Sequence, residues 1–511
     1  MAKKIVLTLE GKLKKKYGAN ITQLKTIFDS LVTADAGKGL STLILYVDDV
    51  ATAGKYSYPI PATFDEAACK NIVDQIYWKE SPEYLAVFGA QDIFPFQQLV
   101  NQLHQSGVAG SDPDAHIPSD LPYACDSPYS TDCNAFTNPT RVFGRIPDMP
   151  LSDQEEGTGD IEYVKTVIET INTSVPADPG IFKNYFAISA DVWTGSTQIS
   201  LRNTFSNAFQ MKTSPPDVAG GYSTAEIGAL PHFFNLHGAL SRPSFYGQKG
   251  GSYPEALRPA DLSGKVNSGT FVSAECCYGA QLLPLGVGIS IASTYLLNKA
   301  AVFMGSSTVA YGPASGQGLA DLMCQYFSIN ILNGSSSGSA LLSARQKFLS
   351  VSGPSLDFHE LKTLAQFHIL GDPSIHPVQS PEPKQMNTIE DRRFTLQAKG
   401  INLGLTIPNT EKISDSRSQN PLLEFPSLQN LVKFGIADLK TVFEVDEVFT
   451  NDFAIAAHNF VDVGNLAGRQ KVRYHVFQKG SIFDNGICDL KVLVVKERDN
   501  QFMGYREYLS R

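Results

Sequence analysis

Apolar positions in residues 1–380 follow two alternating patterns. Short continuous apolar runs predict buried strands, and stretches with apolar residues three or four positions apart predict helices. The predicted strands are 4–9, 42–47, 83–89, 140–147, 184–190, 232–236, 270–274 and 300–305. The predicted helices are 21–32, 64–78, 199–211, 286–299, 317–332, 339–350 and 357–368. Strands that alternate with helices in this way predict an α/β fold with a mostly parallel sheet.

The same pattern divides the chain into three parts. A loop-rich stretch, 106–138, interrupts the first α/β part, and the strand–helix rhythm starts again near residue 180. After about residue 380 comes a linker-like segment, SPEPKQMN, followed by strand-like alternation. A chain of 511 residues exceeds one ordinary domain. We therefore predict an N-terminal α/β subdomain (1–180), a second α/β subdomain (181–380) and a β-rich C-terminal domain (381–511).

Composition and charge exclude several function classes. A net charge of −9 argues against a nucleic-acid partner. The start of the chain lacks the apolar run of a signal peptide, and the longest apolar stretch, 282–297, is too short to span a bilayer, so it predicts a buried helix. We expect a cytoplasmic protein with no membrane span, in which the seven cysteines are reduced thiols. The oligomeric state stays open.

Candidate chemistry lies at the ends of two predicted strands. HFFNLHG ends with His237-Gly238, and TFVSAECCYG ends with two adjacent cysteines, Cys276 and Cys277. A cysteine peptidase needs a thiolate, a histidine for proton transfer and backbone N–H groups for the oxyanion. Ligands bind where parallel strands end at their carboxyl side, and consecutive strands would bring these two ends together. Gly238 would let its N–H approach a substrate closely, and Gly279 would let the chain leave the strand sharply.

His-Gly followed by Cys-x-x-Gly resembles the caspase-like cysteine peptidases of clan CD. Further stretches are similar to the gingipain family: YLAVFGAQDIFP, VFGRIPDMP, FAISADVW, MGSSTVAYGPASGQG and HILGDPSIHPV. The resemblance covers roughly residues 40–380. It implies a three-layer α/β/α fold, with 181–380 as the catalytic subdomain, and a cysteine endopeptidase that works through a Cys-His dyad and a thioester acyl-enzyme. Its substrate would be a protein or peptide from a limited set.

The resemblance also implies roles for individual residues. Its nucleophile precedes a glycine by three positions, which assigns Cys276 as nucleophile and His237 as its partner. The N–H groups of Gly238 and Cys276 would form the oxyanion hole, and Asp191 would orient His237. Glu275 departs from the small residue usual before the nucleophile, and its carboxylate would raise the thiol pKa.

The resemblance predicts a neutral S1 pocket. Gln198 stands where arginine-specific relatives carry an aspartate, and Tyr311 matches an aromatic residue that covers the S1 site; Glu275 is the third predicted substrate-binding residue. We therefore expect a small or apolar P1 residue rather than Arg or Lys. No cofactor is required. Ca²⁺ could bind at Asp92 and the 125–132 loop, although their spacing fixes no site and a solvated loop is the default.

Alternative interpretations remain open at this stage. Cys277 is predicted to be a buried structural thiol, as are Cys69, Cys324 and Cys488. GSSSG (334–338) matches a serine-hydrolase motif at Ser336 but lacks the preceding strand, which predicts a helix–helix loop. The alternative function is a catalytically silent or latent caspase-like scaffold. A zymogen would have the 106–138 loop or the C-terminal domain in its cleft.

Overall fold

The computed structural model describes residues 2–104, 106, 111–151, 156–284, 288–313, 316–352, 356–380, 442–444, 448–449, 471–483, 485–498 and 501–511. In 442–444, 448–449, 471–479, 495–498 and 501–505 it describes the backbone alone. The α-helices are α1 (Glu10–Tyr17), α2 (Ile21–Gly37), α3 (Val50–Tyr56), α4 (Glu66–Glu80), α5 (Ile161–Thr173), α6 (Thr194–Phe205), α7 (Thr224–Ile227), α8 (Pro259–Leu262), α9 (Ile291–Leu297), α10 (Leu319–Leu332), α11 (Ser337–Ser352) and α12 (Phe358–Gln366).

Strands from both halves of the chain form one ten-stranded sheet, in the order β2-β1-β3-β6-β15-β13-β12-β9-β7-β8. Its strands are β1 (Ala2–Thr8), β2 (Leu40–Tyr46), β3 (Tyr84–Phe88), β6 (Phe143–Ile146), β7 (Phe186–Ala190), β8 (Met211–Ser214), β9 (Pro231–Asn235), β12 (Phe271–Glu275), β13 (Val302–Ser306) and β15 (Phe367–Gly371). Only the β13–β15 pair among these is antiparallel. Two parallel half-sheets therefore join at this pair.

The remaining strands form smaller sheets. They are β4 (Gln97–Val100), β5 (His116–Ser119), β10 (Phe245–Tyr246), β11 (Glu255–Leu257), β14 (Tyr311–Pro313), β16 (Val442–Glu444), β17 (Val448–Phe449), β18 (Lys471–Ile482), β19 (Cys488–Arg498) and β20 (Gln501–Ser510). The C-terminal strands β18, β19 and β20 pair antiparallel in sequence order. The last of them, β20, also pairs antiparallel with β14 of the α/β part, so the C-terminal strands are joined to the larger body through a β-ladder.

Side chains alternate between the two faces of the central strands, which are covered by different helices. On β12, Val272 and Ala274 pack in the core that contains Phe28 of α2 and Tyr295 of α9. Phe271 packs on the opposite face, in the core formed with α10, α11 and α12. Period-two alternation within fully buried strands explains why these segments read as continuous apolar runs.

The predicted α/β class with a mostly parallel sheet is confirmed, and so are most elements. Three expectations are wrong in detail. The helix expected at 199–211 begins earlier, at Thr194, and ends at Phe205, so that Met211 already starts a strand. The loop-rich stretch 106–138 contains the strand β5, and the helix expected to end at 368 gives way to the unpredicted strand β15 at Phe367. Most of 381–470 lies outside the described residues.

Two other expectations concern single segments. The apolar stretch 282–297 forms a helix only over Ile291–Leu297, while positions 285–287 lie outside the described residues. Within the described part of the chain, no helix combines the length and apolar character needed to cross a bilayer. GSSSG joins two helices as expected, since α10 ends at Leu332 and α11 begins at Ser337; its first three residues form the loop and its last two begin α11. All seven cysteines are described, and each is a free, buried thiol.

Buried histidines make stability depend on pH. His232 is fully buried, with Nδ1 2.6 Å from the Tyr295 hydroxyl, and burial lowers its pKa to about 4. Its unfolded pKa is about 6.5. As the pH falls from 6.5 to 4, only the unfolded chain gains this proton, so stability present above pH 6.5 is lost.

We expect the unfolding free energy of the wild-type chain to fall more steeply than that of His232→Gln over this window. The difference in slope should approach about 1.4 kcal/mol per pH unit. Urea titrations of both chains at pH 4.5 to 7.5 measure it. Parallel slopes would show that His232 does not titrate as its burial requires.

Candidate active site

The histidine lies just beyond the end of β9, where the chain turns away from the sheet. The His237 N–H donates to the Tyr246 carbonyl at 2.9 Å, and its carbonyl accepts from Tyr246 N–H at 2.8 Å. The ring is 1% exposed and packs between Trp193 and Tyr253, with centroid separations of 4.5 and 5.2 Å. This clamp fixes the orientation of the imidazole.

One ring nitrogen of His237 has a hydrogen-bond partner. Nε2 lies 2.8 Å from Oε1 of Gln248, whose amide nitrogen donates to the Tyr253 hydroxyl at 2.9 Å. That arrangement makes Nε2 the protonated nitrogen, and among the described residues Nδ1 has no hydrogen-bond partner. Burial lowers the pKa of His237 to about 4, against the Gln248 hydrogen bond that raises it. The imidazole is therefore neutral, with a basic Nδ1.

The two adjacent cysteines lie on opposite faces of the sheet. Cys276 continues the alternation of Val272 and Ala274 and packs in the core beside Tyr295. Burial raises the pKa of its thiol well above the usual value. Cys277 packs in the other core, where its Sγ accepts from Ala310 N–H at 3.3 Å. Burial also raises the pKa of the Cys277 thiol.

Gly238 meets the backbone of Cys277. A Cβ at position 238 would overlap the main-chain oxygen of Cys277, so only glycine fits there. The turn out of β12 follows at Tyr278, whose φ of 52° lies in the left-handed region that disfavours a tyrosine. Its hydroxyl donates to Asp114 at 2.7 Å and its N–H to the Thr308 carbonyl at 3.0 Å. The strained residue is thus Tyr278, and the sharp exit expected at Gly279 occurs one residue earlier.

The last residue of the described chain, Arg511, follows β20 directly into this site. Its N–H donates to the Ala310 carbonyl at 2.9 Å, and its main-chain oxygen accepts from Cys277 N–H at 3.1 Å. The side chain is fully buried, with the guanidinium carbon 4.5 Å from the centroid of the Trp193 ring. The Arg511 main-chain oxygen therefore accepts a hydrogen bond from a backbone N–H, as the oxygen of a substrate does in an oxyanion hole.

Two carboxylates surround the guanidinium of Arg511. Its Nη2 lies 3.2 and 3.4 Å from the two carboxylate oxygens of Asp321, at the start of α10. Glu275 is fully buried beside them, and both of its carboxylate oxygens lack a hydrogen-bond partner in the described part of the chain. Burial raises the pKa of Glu275 well above its usual value, as does the charge of Asp321, while Arg511 opposes the shift. Two carboxyl groups therefore lie beside the guanidinium, and the raised pKa of Glu275 favours its uncharged form.

The structure brings some predicted site residues together and leaves others apart. His237, Gly238, Glu275 and the cysteine pair meet where β9 and β12 end side by side, with Glu275 opposite Asn235 in the ladder. The backbone of Cys276 lies at the same strand end, but its thiol points to the opposite face of the sheet from the Cys277 thiol. The N–H that donates to the Arg511 oxygen belongs to Cys277, not to Cys276.

The predicted orienting and pocket residues lie elsewhere. The Asp191 side chain is 34% exposed and pairs with Lys249 at 3.6 Å, and no described hydrogen bond or ion pair joins it to His237, which contacts Gln248 instead. Gln198 accepts from Arg202 at 3.4 Å on the outer part of α6. The Tyr311 hydroxyl donates to Asp112 at 2.7 Å, and Trp193 is the aromatic residue over the guanidinium.

The carboxylates proposed for Ca²⁺ have protein partners. Asp92 Oδ2 lies 2.7 Å from Lys16 Nζ, and Asp126 accepts from Arg141 at 2.8 Å. Among the described residues, no cluster of three or more His, Cys, Asp or Glu has the arrangement of a metal site. Calcium binding by these residues stays an untested prediction.

Sequence reasoning predicted a structural role for Cys277 and did not single out Trp193, Gln248, Asp321 or Arg511. One local signal was available: caspases place glycine two positions after the nucleophile, and ECCYG fits that spacing with Cys277. Trp193, Gln248, Asp321 and Arg511 lie in segments far from Cys277 in the sequence and belong to no common motif.

Comparison with known proteins identifies the family. A model described as Peptidase family C25 matches residues 19–378. A comparison with curated proteins finds no match. Six chains of solved structures match; one, titled "Structure of Protease", is 12% identical, with a TM-score of 0.47, and the alignment covers 100% of this chain and 97% of that one. Because the family model spans more than half of the sequence, this chain belongs to peptidase family C25, the gingipain family of clan CD cysteine peptidases.

Proposed function

We propose that this chain is a cysteine endopeptidase in which Cys277 is the nucleophile and His237 its proton-transfer partner. The observation that carries the proposal is the 3.1 Å hydrogen bond from Cys277 N–H to the Arg511 main-chain oxygen. A carbonyl held there by the nucleophile's own N–H is polarised for attack by the adjacent thiol. Gly238, in contact with the Cys277 backbone, would supply the second N–H.

The proton steps follow from the tautomer of His237. Its Nδ1 takes the Cys277 proton, the thiolate forms the C–S bond to the scissile carbonyl, and the imidazolium returns the proton to the leaving amine as the C–N bond breaks. Water then attacks the thioester, and the carboxylic acid leaves. Gln248 accepts from Nε2 throughout and acts as a positioning residue in the place predicted for Asp191.

The low pKa of His237 belongs to the closed site. Burial is its first cause, so an opened cleft would restore water to the ring and raise its pKa toward the ordinary value. The thiol pKa of Cys277, which burial raises, would fall for the same reason. Both changes favour proton transfer between the two groups.

Covalent labelling tests the choice of nucleophile. The full chain is incubated to completion with a peptidyl acyloxymethyl ketone and digested, and the adduct is located by mass spectrometry. We expect the label on Cys277 in the wild type and in Cys276→Ser, and much slower labelling in His237→Ala because the thiolate loses its base. An adduct on Cys276 with Cys277 unmodified would contradict the proposal.

A further inference from the structure

The C-terminal strand β20 lies in the cleft as an extended peptide would. It adds antiparallel to β14, with Ser510 opposite Tyr311 and Tyr508 opposite Pro313. Extended peptides commonly bind by adding a strand to an exposed sheet edge, through main-chain hydrogen bonds. The ladder continues into Arg511, whose N–H bonds the Ala310 carbonyl and whose oxygen accepts from Cys277 N–H. The chain thus fills the main-chain positions of residues before a scissile bond.

The pocket next to Cys277 fits the Arg511 side chain in shape and charge. Trp193 lies over the guanidinium, and Asp321 binds it from α10. A Cβ at position 312 would collide with the guanidinium, so Gly312 keeps the pocket open. A planar cation between an indole face and a carboxylate is a recurrent way to recognise arginine. Glu275 adds a second carboxyl group near the Arg511 guanidinium.

The hairpin between β18 and β19 covers the other side of the dyad. Ile487 forms a bridge with Ala239, directly after His237-Gly238. The Tyr253 hydroxyl, which accepts from Gln248, donates to Asp489 Oδ2 at 3.1 Å, and the Tyr253 ring lies 5.3 Å from that of Phe483. Cys277 is fully buried and His237 is 1% exposed. In this arrangement a substrate chain cannot reach the thiol.

We infer that the C-terminal residues described in 481–483, 485–498 and 501–511 form an internal inhibitor of the peptidase, with Arg511 seated in an S1 subsite made by Trp193, Glu275 and Asp321. The inference rests on the proposed function and names the regulation of the same site. A tethered segment acts at an effective concentration near the millimolar range, so the closed state persists without tight intrinsic binding. Once the segment is displaced, the peptidase cleaves after basic residues. This reverses the expectation of a neutral pocket at Gln198.

Charge reversal at Arg511 tests the inhibitor. In Arg511→Asp, the new carboxylate faces Asp321 and Glu275, and loss of a buried charge pair should shift the closed–open equilibrium by about a hundredfold. We expect the initial rate on a fluorogenic tripeptide amide with Arg at P1 to rise toward that factor, and to exceed the rate on the matched Leu peptide. Lys491→Asp, the same charge change on an exposed position of β19, is the matched control and should leave the rate at the wild-type level.

The outcomes separate the two proposals. If Arg511→Asp is no faster than Lys491→Asp although its Cys277 takes up the electrophile, the inhibitor is excluded. A released enzyme that prefers the Leu peptide would overturn the S1 assignment. If the released activity survives in Arg511→Asp/Cys277→Ala, the nucleophile is wrong while the inhibitor stands.

A measurement on the wild-type chain covers the case in which Arg511→Asp fails to fold. Acetyl-leucyl-leucyl-argininal should displace the segment as it binds, so amide hydrogen exchange in 506–511 should accelerate, while the matched leucinal should have less effect. Unchanged exchange in 506–511, in a sample whose mass shows the argininal adduct on Cys277, would overturn the inference.

Discussion

Replacing Cys277 by alanine should lower kcat/KM on a peptide substrate by about 10⁴-fold or more, because no other group at the site can form the acyl-enzyme. The backbone should change little, since the N–H that bonds the Arg511 oxygen is retained. The measurement is turnover of the P1-Arg fluorogenic peptide, made in the wild-type and Arg511→Asp backgrounds so that the closed cleft does not mask the difference. Far-ultraviolet circular dichroism checks that the variant is folded.

Cys276→Ala is the matched control for this prediction. Its thiol is packed in the core beside Tyr295, on the opposite face from Cys277, and its removal leaves a small cavity that costs about 1 kcal/mol of stability. Most of the activity should remain. If Cys276→Ala were inactive and Cys277→Ala active, the face assignment of the two thiols would be reversed and the mechanism with it.

Lys4→Met should lower the free energy of unfolding by about 3–5 kcal/mol, because it leaves two buried carboxylates without their cation. Lys4 Nζ lies 2.5 Å from both Asp35 Oδ2 and Asp372 Oδ2, and the Lys4 side chain has no exposed surface. Asp372 follows β15, so the ion pair ties the first strand of the chain to the strand that joins the two half-sheets. Urea unfolding of the full chain measures the loss.

The neighbouring lysine provides the control. Lys3 pairs with Glu80, and its side chain is 33% exposed, so Lys3→Met should cost no more than about 1 kcal/mol. Equal losses for the two variants would mean that burial does not set the strength of the Lys4 pairs. A loss at Lys4 alone would show that an ion pair in the sheet core holds the two halves together.

Local patterns were enough to predict much of the fold and part of the site. The runs 270–274 and 232–236 correspond to β12 and β9, each with a shift of one residue, because a strand buried on both faces is apolar at nearly every position. The position of His237 at a strand end followed from the same reasoning. The missed strand β15 follows α12 without a break, so that no turn residue marked the change.

Other features could not be predicted because they depend on contacts between distant segments. The face of the sheet on which each thiol lies depends on the alternation that continues from β12 into Cys276 and Cys277, and a shift of one position would exchange the two faces. The charge beside Glu275 depends on Asp321 and Arg511, which lie 46 and 236 residues after it in the sequence and share no pattern with it.

The sequence by itself determined the α/β fold, the peptidase family and the meeting of a histidine with a cysteine pair, because strands and their ends are encoded by short-range spacing. Only the tertiary structure decided that Gly238 contacts the Cys277 backbone, that Gln248 contacts His237 and that β20 pairs with β14. These arrangements arise when segments far apart in the chain pack together. The contacts between them are not reflected in the hydrophobic periodicity of either segment, so the sequence pattern does not predict them.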